Sequence, residues 1–328
     1  MTVKEAYEFG GKQLQAAGIK EFELDAFYLL EYVTGITRAR FYADCEKVLE
    51  EEHEKQYNEL LAKREKRIPL QHLTGEQEFM GLSFLVNEDV LIPRQDTETL
   101  VEACLQIIQN HVKREGIAPT EQHFSFLDMC TGSGCILLSI LKCGYQKIVQ
   151  GEAKNRKQKI RQPHKYSTNL PRLGGVGVDI SNKALVVAKK NVNRIFPEIA
   201  SEVFEDEIRI TLLQSDLFDQ VVGKFDLIVS NPPYISTLAL RQLAEEVRCH
   251  EPREALDGGD DGLSFYRRII RESTDYLLPD GYLLLEIGAT QGREVAALLK
   301  NHGYEKIKII KDLTGLDRVV QCQLHSIR

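Results

Sequence analysis

The sequence predicts an α/β protein, in which a mostly parallel sheet is covered by helices on both faces and is preceded by a small helical domain. Two observations lead to this prediction. From Thr97 onwards, apolar segments of strand length alternate with segments whose apolar residues recur at helical spacing. Before Pro69, the first proline of the chain, apolar residues recur at helical spacing alone. With 328 residues, the chain has room for two domains.

The helical domain is predicted to span residues 1–68. Thr2 is suited to cap its first helix, Gly18 to end that helix and Gly35 to end the second. A long charged helix is predicted over residues 47–67. Such a domain either contacts a partner or substrate, or only adds soluble surface. The sequence of this segment does not distinguish between these two roles.

Residues 69–93 change to alternating apolar positions, which predicts a short β-hairpin that joins the two domains. The sheet domain then covers residues 94–328. Its predicted helices begin at Thr97 and Cys135 and span Lys183–Ile195, Phe265–Tyr276 and Arg293–Lys300. Its predicted strands are Phe124–Met129, Val176–Asp179, Ile208–Leu213, Phe225–Ser230, Tyr282–Ile287, Ile307–Ile310 and Val319–Leu324.

Residues 145–173 interrupt this alternation with a basic insertion that carries eight Lys or Arg and one acid. It contributes a charge of +7 and leaves −14 for the rest of the chain. Like-charge blocks are usually solvated loops, although this one could instead hold an acidic or RNA-bearing partner. The net charge of −7 argues against a protein that coats nucleic acid.

Composition excludes several other classes. The seven cysteines are scattered and show no metal-ligand spacing, so we expect reduced thiols, no disulfide framework and no metal site. No apolar run is long enough to span a bilayer, and the N-terminal residues lack the pattern of a signal peptide. We therefore expect a cytoplasmic protein that does not contact membranes.

A nucleotide-type pocket is predicted where the first central strand ends. There the turn Cys130-Thr131-Gly132-Ser133-Gly134 leads from an apolar strand into a helix, which directs backbone N–H groups towards a ligand. Leu137 stands where a dinucleotide fingerprint has its third glycine. Asp179 ends the next strand and is placed to accept hydrogen bonds from both ribose hydroxyls. Asp216 follows the third strand of this series and could border an adenine.

The tetrapeptide Asn231-Pro232-Pro233-Tyr234 follows the strand Phe225–Ser230. Two prolines force the chain to leave the sheet in a rigid bend beside the pocket. The Asn231 side-chain oxygen and the Pro232 carbonyl can accept both N–H bonds of a planar nitrogen and direct its lone pair at a sulfonium methyl group, while the Tyr234 ring provides a flat wall. This motif indicates methyl transfer to an amide or exocyclic amine nitrogen.

The chain resembles the HemK/PrmC family, whose members use S-adenosylmethionine to methylate the glutamine side chain of the Gly-Gly-Gln motif in class 1 peptide chain release factors. The resemblance runs almost from end to end. It rests on the glycine turn, on residues 231–234, and on residues 69–75, 78–82, 90–98, 251–252, 258–266, 286–288, 311–313 and 315–319.

This resemblance implies a class I (Rossmann-like) methyltransferase sheet and an N-terminal domain that helps to recognise the release factor, in a protein that we expect to be monomeric and without direct DNA contact. It implies that Asn231, Pro232 and Tyr234 are catalytic and that they bind the glutamine together with Pro233. The cofactor is expected to contact Cys130, Thr131, Gly132, Ser133, Gly134, Asp179, Leu217 and Asn231. Cys130 stands where the family usually has glycine, and the basic insertion has no counterpart.

Two other functions remain open from the residues. The first is an adenine-N6 or guanine-N2 nucleic-acid methyltransferase, which must also activate a planar nitrogen and uses the same kind of bend. It would need a basic surface, whereas the chain is acidic outside the insertion. A module that keeps the fold but only binds a translation partner is the third possibility, and cofactor binding would distinguish it.

Overall fold

The computed structural model describes residues 1–114, 123–146, 172–197 and 208–325. These residues form two compact units. No helix within these ranges has an apolar stretch that could cross a membrane. The first unit comprises Met1–Glu76, Val86–Glu88 and Leu243–Glu251, and the second comprises Gln77–Leu85, Asp89–Gln242 and Pro252–Arg328.

The first unit is helical, as predicted. Thr2 caps its first helix in a capping box with Glu5, and Gly35 ends the second helix in the left-handed conformation. The charged helix begins at Glu51 instead of Lys47, because the backbone of Lys47 and Leu49 is hydrogen-bonded to Val3 and Met1 at the start of the chain. The helices are α1 (Val3–Ala16), α2 (Phe22–Thr34), α3 (Arg38–Asp44), α4 (Glu51–Glu65), α5 (Leu70–Thr74) and, from much later in the chain, α9 (Glu245–His250).

Helix α9 is tied to the first unit by ion pairs. Arg64 of α4 is buried and donates to Asp25 Oδ2 at 2.7 Å. Its guanidinium also lies 3.4 Å from Glu246 of α9, which Arg67 contacts at 3.2 Å. A buried arginine needs such partners, because an unpaired charge in the interior is strongly unfavourable. The sequence did not predict α9, since six residues are too few to show a helical period.

A β-hairpin follows α5, and it is shorter than the predicted segment 69–93. Strands β1 (Glu76–Phe79) and β2 (Leu82–Leu85) are joined by Met80 and Gly81, which both have positive φ, at 54° and 71°. Two such residues give the tight turn that suits the twist of a hairpin. The Met80 N–H donates to Glu98 Oε1 at 2.7 Å.

The second unit contains a seven-stranded sheet in the order β5-β4-β3-β6-β7-β9-β8. The first five strands in this order are parallel, and β9 runs antiparallel to both its neighbours. The mostly parallel sheet predicted from the sequence is therefore confirmed. The strands are β3 (His123–Met129), β4 (Arg172–Asp179), β5 (Ile208–Gln214), β6 (Phe225–Ser230), β7 (Leu277–Glu286), β8 (Tyr304–Lys311) and β9 (Asp317–Leu324).

The strand order brings the predicted site residues to one edge of the sheet. Met129, at the end of β3, pairs with Val178 of β4 on one side and with Ser230 of β6 on the other. The chain crosses over in opposite directions from β3, so the loops after these strands diverge and leave a crevice. The helices of this unit are α6 (Glu98–Arg114), α7 (residues 135–146), α8 (Asn182–Ile195), α10 (Ser264–Glu272) and α11 (Gly292–Asn301).

Several strands begin earlier than predicted, β4 by four residues, β7 by five and β8 by three. β4 starts at Arg172 and not at Val176, and two of its glycines lie against helix α7, where a Cβ on Gly175 or Gly177 would come within 2.6 or 2.8 Å of Leu137. β7 starts at Leu277 and includes Asp280 at positive φ, beside a register shift. Residues 147–171, which make up most of the predicted basic insertion 145–173, lie outside the described residues.

Candidate functional site

A cavity of about 290 Å³ opens at the carboxyl edge of the sheet, between the loops that follow β3, β4, β5 and β6. Pockets that hold small ligands usually measure about 300–1,000 Å³, so the cavity is near the lower end of this range. Seven of the residues predicted from the sequence line it: Cys130, Gly132, Asp179, Asp216, Leu217, Asn231 and Pro233. The other predicted site residues, Thr131, Ser133, Gly134, Pro232 and Tyr234, are not among the residues that line it.

The glycine turn owes its shape to two hydrogen bonds from Thr131. Its N–H donates to Val178 O at 2.9 Å, and its hydroxyl donates to Asp128 Oδ2 at 2.6 Å. Gly134 has a φ of 79°, which a residue with a Cβ rarely adopts. A Cβ built on Gly132 would meet nothing within 4 Å, so this residue leaves open space for a ligand.

Asp128 lies below the turn and was not among the predicted site residues. It is fully buried, and its Oδ2 also accepts the N–H of Leu137 at 3.1 Å, which fixes the start of helix α7. Burial raises the pKa of this carboxyl to about 7. Its position at the end of an apolar strand was the only signal in the sequence.

Asp179 joins the turn to the second strand. Its Oδ2 accepts the Gly132 N–H and its Oδ1 accepts the Ser181 N–H, each at 2.9 Å. Each carboxylate oxygen can accept a second hydrogen bond. The carboxylate is therefore held in one orientation and can still accept from two hydroxyls of a ligand. Burial raises its pKa.

The next loop contributes an ion pair to the cavity wall. Asp216, which the sequence suggested as a border of an adenine, accepts from Arg268 Nη1 at 2.9 Å. Arg268 and Phe265 come from helix α10, and both line the cavity. Neither was predicted, because α10 lies far along the chain from the glycine turn and its apolar spacing indicates only a core helix.

Two residues of the cavity wall have strained backbones. Cys130 and Leu217 are not glycine, yet their φ angles are 61° and 51°. Residues in this conformation are concentrated at functional sites, where the surrounding structure imposes it. Glycine, which the resemblance leads us to expect at position 130, would adopt this φ without strain.

We expect Cys130→Gly to be more stable than Cys130→Ala by about 1 kcal/mol, because alanine keeps the Cβ that disfavours a positive φ and glycine does not. Both variants lose the thiol, so their difference isolates the backbone. Thermal and denaturant unfolding of the two variants would measure it. Equal stability would show that the φ of residue 130 stores no strain.

The bend after β6 is held by hydrogen bonds on both sides. Ile235 N donates to Leu256 O at 3.1 Å, and Gly258 N donates to Ile235 O at 2.8 Å. A Cβ on Gly258 would lie 2.8 Å from the Tyr234 Cα, so only glycine allows the two segments to come this close. Gln291 Nε2 donates to Tyr234 O at 3.0 Å. The bend is thus rigid, as the two prolines predict.

Asn231 and Pro233 are the residues of this bend that line the cavity. The Asn231 Nδ2 donates to Thr97 Oγ1 at 3.3 Å, so the Oδ1 of the same carboxamide is directed away from Thr97. Tyr234 is partly buried, and its hydroxyl donates to Glu286 Oε1 at 3.5 Å. Burial raises the pKa of Tyr234 to about 12, so the phenol stays neutral. The site therefore presents oxygen acceptors and a neutral ring, beside a carboxylate that is suited to a ribose.

Comparison with known proteins gives two family matches. The model described as PrmC N-terminal domain matches residues 5–75, and the model described as N-6 DNA Methylase matches residues 101–276. The second match covers more than half of the chain, and the first distinguishes this chain from methylases without that domain.

Curated relatives match over nearly the full length. The release factor glutamine methyltransferase of Geobacter sulfurreducens is 34% identical over 97% of this chain and 95% of the relative. That of Moorella thermoacetica is 37% identical over 97% of both chains. That of Clostridium acetobutylicum is 35% identical over 98% of both.

Proposed function

The chain belongs to the family of release factor glutamine methyltransferases, and from this premise we propose that it methylates the side-chain amide nitrogen of the glutamine in the Gly-Gly-Gln motif of class 1 release factors. The methyl donor is S-adenosylmethionine. The observation that carries the proposal is that Asn231 and Asp179 line one cavity, so a methyl donor held by Asp179 lies next to a nitrogen held by Asn231.

The described residues fit this cofactor. Asp179 has a free acceptor position on each oxygen for the ribose hydroxyls, and the open space at Gly132 admits a ligand close to the backbone. Leu217 and Phe265 provide apolar surface for a base, with Asp216 at its edge. When bound, S-adenosylmethionine supplies a methyl group on a positively charged sulfur.

Residues of the chain itself activate the substrate nitrogen. An amide nitrogen is a poor nucleophile because its lone pair is delocalised into the carbonyl. The Asn231 Oδ1 and the Pro232 carbonyl would accept its two N–H bonds and turn the lone pair towards the donor. The rigid bend keeps both acceptors in place before the substrate arrives, so that positioning provides most of the rate. The Tyr234 ring packs against the flat amide.

The experiment that tests this function is mass spectrometry of the Gly-Gly-Gln peptide after incubation of a release factor with the protein and S-adenosylmethionine. We expect one added methyl group on the glutamine side chain. A release factor whose Gly-Gly-Gln glutamine is replaced by alanine serves as the control and should gain none. An unmodified glutamine at full cofactor occupancy would refute the proposal.

The match to the N-6 DNA methylase model supports a second candidate, methylation of the adenine N6 in a nucleic acid. Both substrates present a planar nitrogen to the same kind of bend. Incubation with radiolabelled cofactor and either release factor, DNA or RNA separates them. Label in nucleic acid with none in the release factor would favour this candidate.

The domain roles form part of the same proposal. Residues 1–68 would recognise the release factor, residues 69–93 would join them to the catalytic residues 94–328, and the protein would act as a cytoplasmic monomer without direct DNA contact. Support for the first role comes from the match of residues 5–75 to the PrmC N-terminal domain. Removal of residues 1–68 should then raise the KM for the release factor strongly. The Kd for the cofactor should change much less.

A further inference from the structure

Two buried polar residues lie behind the bend and have no part in the function proposed above. Thr97 ends the 3-10 turn Gln95–Thr97 and is 2% exposed. Glu286 ends strand β7 and is 1% exposed. Both belong to segments that the family resemblance contains, and both contact the tetrapeptide that follows β6. Polar groups are rarely buried without a partner or a role, so these residues call for an explanation.

The Asn231 carboxamide is hydrogen-bonded to Thr97 through its nitrogen end. A carboxamide has a donor end and an acceptor end of nearly the same shape, and only its hydrogen bonds distinguish them. Thr97 Oγ1 accepts from Asn231 Nδ2 at 3.3 Å, which leaves the oxygen end for the cavity. If the carboxamide were reversed, an NH₂ group would face the N–H bonds of the substrate, and no hydrogen bond could form.

A threonine hydroxyl can also donate, so Thr97 alone does not select this orientation. Glu286 makes the selection. The Tyr234 hydroxyl donates to its Oε1 at 3.5 Å, and Thr97 lies close enough for its hydroxyl to lower the pKa of this carboxyl. An ionised carboxylate only accepts, so Thr97 must direct its single proton to Glu286 and can then only accept from Asn231.

We propose that Thr97 and Glu286 are positioning residues of the methylation reaction, which together hold the Asn231 carboxamide with its oxygen towards the substrate nitrogen. Glu286 also holds the Tyr234 hydroxyl, so one carboxylate orients both side chains of the bend that face the substrate. The inference rests on the proposed function, because it assigns roles in that same site.

The protonation state of Glu286 then controls the site. Burial raises the pKa of Glu286 to about 7, and Thr97 and the positive charge of Arg318 oppose this rise. Glu286 Oε2 is buried and has no hydrogen-bond partner in the described part of the chain, which also favours the protonated form. The groups that face this carboxyl are Thr97 and Asp96 from the 3-10 turn, Tyr234 from the bend, Arg318 from β9, Tyr266 from α10 and Cys135 from α7.

The sign of the pH effect follows. Below the pKa of Glu286 the carboxyl carries a proton and can donate to Thr97, whose own proton is then free to point at Asn231 and admit the reversed carboxamide. Above that pKa the carboxylate enforces the productive orientation. The rate should therefore rise with pH through about 7. Because burial also raises the pKa of Asp128 to about 7, only the comparison with Glu286→Gln assigns the rise to Glu286.

The first test compares Thr97→Val with Thr97→Ser, in the full chain with release factor as substrate. Valine has the shape of threonine without the hydroxyl, and one lost neutral hydrogen bond corresponds to roughly a tenfold fall in kcat. Serine should restore most of the rate, and the cofactor Kd should stay near that of the wild type. A valine variant with wild-type kcat, or a serine variant as impaired as valine, would overturn the proposal.

The second test is the pH profile of Glu286→Gln. Glutamine keeps the shape and can donate as well as accept, so the rise of kcat through neutral pH should disappear in this variant and persist in Thr97→Ser. An unchanged inflection in Glu286→Gln would contradict the role of Glu286.

A third readout needs no substrate. The side-chain amide resonances of Asn231 in ¹⁵N-labelled protein should shift with pH in the wild type and not in Thr97→Val. If the wild type leaves the release factor unmethylated while these resonances respond as expected, the proposed function fails and the positioning network stands. If the wild type methylates the release factor, but its Asn231 resonances change neither with pH nor in Thr97→Val, the positioning network is wrong and the proposed function stands.

Discussion

Asn231→Ala is expected to lower kcat for release factor methylation by about 10²- to 10³-fold, the usual effect of removing one oriented hydrogen-bonding group from a reaction centre. The loss should fall on kcat because the Asn231 oxygen matters most when the nitrogen is turned towards the methyl group. Asn231 also lines the cofactor cavity, so the Kd for S-adenosylmethionine should change, but far less than the rate. Single-turnover kinetics and calorimetry measure the two quantities separately.

Asn182→Ala is the matched control, because Asn182 is an exposed asparagine at the start of helix α8. It should keep both rate and affinity. If Asn231→Ala methylates the release factor at a near-normal rate, the carboxamide does not hold the substrate, and the central claim about the bend is wrong.

The sequence predicted the sheet well wherever a strand has an unbroken apolar run. Strand β6 has the predicted bounds, Phe225–Ser230. Strand β4 was predicted too short because Gly174 and Gly175 weaken the strand pattern, and the close packing of Leu137 that requires Gly175 is a tertiary contact. Helix α9 was missed for a related reason, since Glu246 finds its partners, Arg64 and Arg67, about 180 residues earlier in the chain.

The site residues likewise fall into those that the sequence predicted and those that it could not. Residues in contiguous motifs, such as the glycine turn and the bend, could be predicted because their chemistry is local. Thr97, Arg268 and Glu286 could not be assigned, since each reaches the site from a different element and carries no local signal of function. The strand order β4-β3-β6-β7 brings the ends of these strands together. Only that order places Glu286 behind Tyr234.

Asp179→Asn should raise the Kd for S-adenosylmethionine by about 10- to 100-fold, which corresponds to the loss of one or more hydrogen bonds to a charged group. Both Asp179 oxygens already accept backbone N–H groups, from Gly132 and Ser181. The asparagine NH₂ would have to face one of these donors, so the substitution disturbs the glycine turn as well as the ribose contact. At saturating cofactor, kcat should recover substantially, because Asn231 is intact.

Asp219→Asn provides the control, since Asp219 is an exposed aspartate near the same edge of the sheet. Burial raises the pKa of Asp179, so the wild type should bind cofactor more weakly as the pH falls and this carboxyl takes up a proton, whereas Asp179→Asn should lose that part of the pH dependence. Calorimetric titration at several pH values tests both expectations. Wild-type affinity in Asp179→Asn would mean that the ribose is held elsewhere, and the shared cavity would no longer explain how the methyl group meets the glutamine nitrogen.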